Sequence, residues 1–315
     1  MKNEEMKNTN TNDTAGRNTP TVVNLAIDYF WTSASGEIKS FTRYSTVEAS
    51  KVDEINSRLV SGSSVHDYFS MEQFWEDESS IILVPVFATV SPSSNSAGYT
   101  VMCDVYNDNV EAVSYNYRSA LISGVTDFTK EIFPKASFVQ HFTLNSDTKN
   151  AKGLLRAFSN ASMMSGITIN KSSVLGKVGT SNTFDCSFEV GGSGMDLITA
   201  CDHLMFARFI LQETCNSNNC SVMMNANDSS TVNYIDNRFS KVTEEDSNDE
   251  VVDFCMINFQ SFNYNSETEK GTVSKGWQLN RVGAGHIVDT RPSSGSNPYR
   301  ACLNIMSNVC KKKSG

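Results

Sequence analysis

Few residues in this chain stand in an arrangement that could do chemistry. Its four histidines and eight cysteines are scattered over 315 residues, without the paired spacing that gathers ligands around a structural metal. Cys215-x4-Cys220 supplies at most half of a metal clip, since no second Cys or His pair accompanies it. His66 and His141 could together hold a metal, again without ligand spacing. Asp202 and His203 are an acid and an imidazole side by side, the parts of a catalytic pair. Neighbours along a helix point in different directions, however, and a hydrogen-bonded histidine in a structural segment is the plainer expectation. Arg281 and Arg291 carry the fork that grips carboxylate or phosphate, and structural ion pairing is an equal reading of them.

The elements that must position these residues are legible from periodicity. Val23, Leu25, Ile27, Tyr29 and Trp31 alternate with polar positions and predict a one-sided strand, with a turn at Gly36 and a hairpin partner over 38–43. Strands are expected at 81–86 and 100–106, with loops containing Ser61-Gly62-Ser63-Ser64 and Ser91-Pro92-Ser93-Ser94 before and between them. Over 138–144, Phe138, Phe142 and Leu144 share one face, leaving Val139, His141 and Thr143 on the other. A helix is predicted over 151–165, with Ala151, Leu154, Leu155, Phe158 and Ala161 on one face and Gly166 as its stop. A strand at 167–169 follows. Phe184, Cys186, Phe188 and Val190 then alternate with Asp185, Ser187 and Glu189. A turn at 191–194 leads to the longest helix, 195–215, apolar nearly all round and so expected to lie buried against a sheet. The acidic stretch 244–250 reads as a solvated loop, and 251–259 as a strand.

Composition narrows the partners. At 39% hydrophobic and 19% charged, the chain can bury a substantial core. A net charge of -9 argues against a nucleic-acid surface, which needs clustered Lys and Arg. The run Lys311-Lys312-Lys313 lies in a basic tail, 311–315. No segment has the ~20 apolar residues of a membrane span, and the polar start lacks the apolar core of a signal peptide. The expectation is a cytoplasmic chain with reduced thiols, no nucleic-acid partner and no membrane partner. Residues 1–20, rich in Asn, Thr and Lys, are expected to form a disordered arm.

Several segments together carry a resemblance. Phe138-Val139-Gln140-His141-Phe142-Thr143-Leu144 resembles the glutamine synthetase strand Met-Glu-Gln-Glu-Tyr-Thr-Leu. Asp202-His203-Leu204-Met205-Phe206-Ala207-Arg208-Phe209-Ile210-Leu211 is similar to that family's Gly-Asp-His-Leu-Trp-Val-Ala-Arg-Phe-Ile-Leu helix. Phe188-Glu189-Val190-Gly191, Asp289-Thr290-Arg291-Pro292-Ser293-Ser294 and Asn297-Pro298-Tyr299 resemble further family segments. In the N-terminal part, Trp31, Gly36, Thr42-Arg43, Ser61-Gly62-Ser63-Ser64, Leu83-Val84-Pro85 and Met102-Cys103-Asp104 fall in the order of the eukaryotic type. The resemblance spans most of residues 22–305. It implies an α+β fold: a β-grasp-like N-terminal domain over 21–108 and a larger domain over 109–310, whose curved antiparallel sheet is backed by helices.

What the resemblance implies for the site is loss. The family's two strand glutamates fall on Val139 and His141, the glutamate ahead of its Phe-Gln-x-Gly motif falls on Ser187, and its last metal glutamate falls on Val288. Another metal glutamate has no counterpart, since no acid occurs between Phe158 and Phe184. The nucleotide-site histidine maps near 235–240, where there is neither His nor Gly. Thr290 replaces an arginine, Ser61 an aspartate, and the hairpin after Asn280-Arg281 is shortened to Val282-Gly283-Ala284-Gly285. Phosphoryl transfer of the family's kind needs divalent metal on hard oxygen ligands, and valine offers no lone pair. The expectation is therefore a pseudoenzyme with no catalytic residue, no cofactor and no metal ligand. Its role would be structural, as a homo-oligomer in rings or filaments, partnered by itself or by glutamine synthetase-like paralogues. The alternatives are a non-catalytic amino-acid or nucleotide sensor, and then a residual glutamate-ammonia ligase.

Overall fold

The computed structural model describes residues 21–61, 65, 69–76, 79–93, 98–128, 135–146, 150–178, 182–191, 195–224, 235–240, 279–281, 286–289, 292 and 294–304. The chain is mixed α+β, built on two sheets. In order, the elements of the first half are β1 (Val22–Thr32), β2 (Ile38–Glu48), α1 (Ala49–Ser61), β3 (Glu72–Glu76), β4 (Ser79–Pro85), β5 (Ser91–Pro92), β6 (Gly98–Tyr106) and α2 (Tyr117–Phe128). Then follow β7 (Lys135–Ser146), α3 (Ala151–Met164), β8 (Ile169–Val178), β9 (Thr183–Val190), α4 (Leu197–Ser217), β10 (Cys220–Met223), β11 (Ile235–Ser240), β12 (Leu279–Arg281) and β13 (His286–Asp289). A further helical stretch covers 298–304.

The first sheet runs β2-β1-β6-β4-β3, with β5 on β6. It is mixed, because β1 and β6 are parallel. Their approach is close: a Cβ on Gly98 would lie 1.8 Å from the Ala26 carbonyl oxygen, so only glycine fits there. The sheet curls until side chains from its two edges meet. Phe41 of β2 stacks on Phe74 of β3 at 5.7 Å, and Arg43 pairs with Glu72 at 2.5 Å. Leu25, Ile27, Tyr29 and Trp31 fill the inside with Ile55 of α1.

β1 is not the one-sided strand that its alternation predicts. Phe30 is fully buried on the opposite face, stacked on Phe209 of α4 at 4.5 Å and edge-on to Phe206 at 5.1 Å. A single aromatic among polar neighbours hides a second buried face, and it ties the first sheet to α4.

The second sheet is antiparallel throughout, in the order β12-β13-β11-β7-β9-β8, with β10 on β7. Its apolar face, with Phe138, Phe142, Leu144, Phe188 and Val190, packs on α3 and α4. α3 begins on an Asn150 cap, whose side chain accepts from the Gly153 amide. It ends at Gly166, where φ is +74°, a conformation suited to glycine. The predicted helix over 195–215 starts two residues later, because Asp196 caps it through the Thr199 amide. α4 is buried on nearly every face between the two sheets, which is why its sequence lacks a polar side.

Further expectations are corrected. The strand placed at 167–169 is instead β8, Ile169–Val178. The Ile167 amide closes the helix by donating to Ser162, and β8 is mostly polar because it is an edge strand. Ser61 ends α1 rather than lying in a loop, and likewise Ser91-Pro92 of the other expected loop form β5, paired with β6. The expected arm over 1–20, the loop over 244–250, the strand over 251–259, the tail over 311–315, His66, Thr290 and Arg291 lie outside the described residues, as do 62–64 and 282–285. Among the described residues, no helix is long and apolar enough to cross a membrane.

Candidate functional site

The positions at which the resemblance calls for glutamate lie close together in the register of the second sheet. β7 and β9 pair so that His141 lies across from Ser187 and Val139 across from Glu189. On its other side Val139 lies across from Asp236 of β11. Val288 of β13 lies across from Arg238 of β11, which itself lies across from Ser137 of β7. Side chains two apart on a strand share a face, so Ser137, Val139, His141 and Thr143 form one row. Asp185, Ser187 and Glu189 form the row beside it. Asn280 of β12 follows Val288 in register.

The chemistry of this face is that of its residue types. At its centre stand a valine, an imidazole and a hydroxyl. Carboxylates do occur around it: Asp185 and Glu189 of β9, on either side of Ser187, and Asp236 of β11, across from Val139. Four residues of strand separate Asp185 from Glu189 by ~13 Å, whereas one cation needs its oxygens within ~2 to 2.6 Å of itself, so those two cannot share an ion. Burial raises the pKa of Asp185, and that of Cys186 next to it climbs to about 12.

Beneath this face lies a buried polar knot. Gln140 sits in the apolar row of β7 and is completely buried. Its Oε1 accepts from Arg208 Nε of α4 at 2.8 Å, and its Nε2 donates to the Ser294 carbonyl at 3.0 Å and to that of His141 at 2.9 Å. Arg208 also donates to the carbonyls of Ser294 at 2.8 Å and Ser296 at 3.0 Å. The segment 294–296 is thereby fastened across β7 and α4. A polar residue in an apolar strand row and an arginine in an all-apolar helix face were the available signals, since buried polar groups need partners.

The Asp202–His203 pair resolves into two unrelated environments. Asp202 takes both Nε and Nη2 of Arg118 from α2, at 2.9 and 3.0 Å, and the Tyr299 hydroxyl at 2.6 Å. Arg118 reaches Asp104 of β6 with Nη1 at 3.1 Å. The cluster joins β6, α2, α4 and the helical stretch at 298–304, and Asp202 is structural. Burial pushes the Tyr299 phenol well above its ordinary pKa, with the Asp202 carboxylate adding to the rise. Burial likewise raises Asp104, while Arg118 pulls it back. At His203 the buried Nδ1 has no partner among the described residues. Burial lowers its pKa, against the pull of Asp202 and Asp196. Arg118 gave no sequence signal, and Asp104 figured only in the resemblance, since their pairing depends on tertiary contact alone.

The other sequence candidates stay apart. Cys220 donates to Ser146 and to the Asn218 carbonyl, while Cys215 is buried in the second core, so the two form no clip. Arg281 lies at an outer strand, β12. A cleft of about 500 Å3 opens between the β1–β2 turn, α4 and the 295–300 segment, lined among others by Ser33, Glu37, Gln212, Asn216, Asn297 and Arg300. Arg300 lies over the Tyr117 ring at 5.3 Å. Neither a family model nor a curated protein matches this chain.

Proposed function

We propose that this chain is a non-catalytic, glutamine synthetase-like protein that works by self-assembly. In this reading the first sheet is the β-grasp-like domain, and the second is the sheet that carries the active site in the enzymes. The observation that carries it is the meeting of Val139, His141 and Ser187 in adjacent register positions, with Val288 two strands from β7. These are the positions where the resemblance calls for metal-holding glutamates. Residues far apart in sequence fall on one face, and none of them is a carboxylate. Losing even an outer partner of a metal ligand lowers affinity or activity by roughly 10 to 100-fold, so losing the ligands themselves removes the parent chemistry.

The buried Arg208 and Asp202 clusters support the same reading. They fasten the packing segments of the resemblance and ask nothing of a substrate. A chain that keeps its scaffold without its ligands has its surfaces left to act with, and symmetric or head-to-tail self-contacts give rings or filaments. Negative-stain imaging of the purified chain over a range of salt and concentration tests this. Rings or filaments are expected, and dispersed monomers throughout would overturn it.

A second reading, a non-catalytic sensor of an amino acid or nucleotide, is favoured by the cleft at Arg300. Its volume lies within the range of small-molecule sites. Calorimetry with glutamate, glutamine, ATP and ADP distinguishes the two readings: saturable heat that the Arg300→Ala variant loses would favour the sensor.

A further inference from the structure

Resting on the sensor reading of the cleft at Arg300, we infer that this cleft takes a small apolar zwitterion, its carboxylate on Arg300 and its ammonium on Glu37. The cleft opens on the side of the second sheet where α4 packs, for its lining includes Arg208, which bonds Gln140 of the apolar row. Val139, His141 and Ser187 stand on the opposite face, because successive strand residues alternate. The site is thus separate from the one at which the resemblance calls for glutamates.

One wall is positive. Arg300 holds its guanidinium over the Tyr117 ring, and both line the cleft. A guanidinium braced on an aromatic face keeps its N–H groups around the rim of its plane, where two at a time match a carboxylate. Asn297 adds a donor. It is 9% exposed, and its Oδ1 accepts from the amides of Tyr299 at 3.0 Å and Arg300 at 3.3 Å. That fixes which way the side chain is turned, and Nδ2, which bonds no described residue, is left to donate.

The other wall is negative. Glu37 ends the β1–β2 turn, after Gly36 with a φ of +83°. Its amide donates to Ser33 Oγ at 3.2 Å, and its carbonyl accepts from the Ser33 amide at 2.9 Å. Ser33 is itself buried, so the turn is a fixed lip. The Glu37 carboxylate makes no hydrogen bond or ion pair among the described residues. Glu37 and Arg300 therefore line one cleft without pairing with each other, an arrangement that a ligand carrying both charges completes.

The floor between them selects the body of that ligand. Met205 lines the cleft from the second core, and Ile38, Val222 and Met224 line it from that core's rim, so an aliphatic body leaves water against them. The lining holds one other cation, Arg208, and it is committed to the carbonyls of Ser294 and Ser296. A second negative charge, on glutamate or on the phosphates of a nucleotide, would meet Glu37 uncompensated. An aliphatic amino acid and a dipeptide of two share the favoured chemistry, and the volume of about 500 Å3 admits either.

Calorimetry on the full chain tests this, with leucine and leucyl-leucine as probes. Saturable heat from either supports the inference, and the tighter of the two tells amino acid from peptide. Glu37→Gln, on an exposed turn, should weaken that binding at least ~10-fold, as the loss of one charge-assisted bond does. Arg300→Ala should do the same, and if its circular dichroism changes, Glu37→Gln alone decides. 4-Methylpentanoate, which lacks the ammonium, and 3-methylbutylamine, which lacks the carboxylate, should each bind at least ~10-fold more weakly than leucine. An analogue that binds as tightly as leucine overturns the zwitterion. Binding that Glu37→Gln leaves unchanged overturns its place in this cleft. Glutamate, glutamine or a nucleotide binding where leucine and leucyl-leucine do not overturns the inference while the sensor reading stands. Silence from every ligand overturns both.

Discussion

Arg208 of α4 and Gln140 of β7 meet side chain to side chain at 2.8 Å in the interior of the second sheet's core. Both are almost wholly withdrawn from water, Arg208 at 3% exposure and Gln140 at 0%. Between them they bind the carbonyls of Ser294 and Ser296. The contact fixes a helix, a strand and a distant segment through one guanidinium. Removing either partner strands the polar groups of the other in a dry interior.

Gln140→Leu is accordingly expected to destabilise the fold by about 3 kcal/mol, because Arg208 loses an acceptor while remaining buried. Gln140→Leu combined with Arg208→Met should cost less than the sum of the single changes, since both stranded partners are gone. Urea denaturation of the four proteins measures the coupling, and strict additivity would count against the knot.

Phe30→Ala removes the ring that stacks on Phe209 and meets Phe206. As a fully buried aromatic at the meeting of the first sheet and α4, it should destabilise by about 3 to 5 kcal/mol. Tyr44→Ala, at an exposed position of the neighbouring strand, should change monomer stability by no more than about 0.5 kcal/mol. Thermal melts at low protein concentration compare the two.

His203 gives stability a pH dependence of known sign. Its folded pKa lies below the ordinary 6.5 through burial, so the unfolded chain takes up the proton first as pH falls. Its share of stability is whole above pH 6.5 and is lost as pH drops from there towards the folded value. Urea midpoints at pH 7.5 and 5.5 should therefore separate more for the wild type than for His203→Gln. An equal separation would remove His203 from the account.

Placing carboxylates where the resemblance calls for them probes the loss of the metal ligands. Val139→Glu, His141→Glu and Val288→Glu, combined in one chain, should bind Mn2+ measurably in calorimetry or electron paramagnetic resonance, and the wild type should not. Glutamate-dependent phosphate release by the wild type at the level of the combined variant would defeat the pseudoenzyme reading.

How much was legible can be judged from particular strands. The alternation at 138–144 gave the inward row of β7 correctly, and the long apolar run gave a buried α4, because burial on one face or on all faces leaves its period in the sequence. α1 escaped notice because Val52, Ile55 and Leu59 leave only a thin stripe in a charged segment. β8, a polar edge strand with two register shifts, carries no apolar period to read. Phe30 passes for one of the polar positions of a one-sided strand because the helix that covers it, α4, lies far along the chain.

The sequence by itself determined which residue types are present: valine, histidine and serine where the resemblance calls for glutamate, a polar Gln140 in an apolar row, and no metal-ligand spacing. Only the tertiary structure decided that Val139, His141 and Ser187 are neighbours across β7 and β9 with Val288 in the same sheet, that Asp202 belongs to Arg118 and Tyr299 rather than to His203, and that Glu37 and Arg300 line one cleft. The reason is physical. Periodicity records how each element is buried, a local property, whereas strand register and side-chain partnership are set between elements whose separation along the chain leaves no mark on spacing.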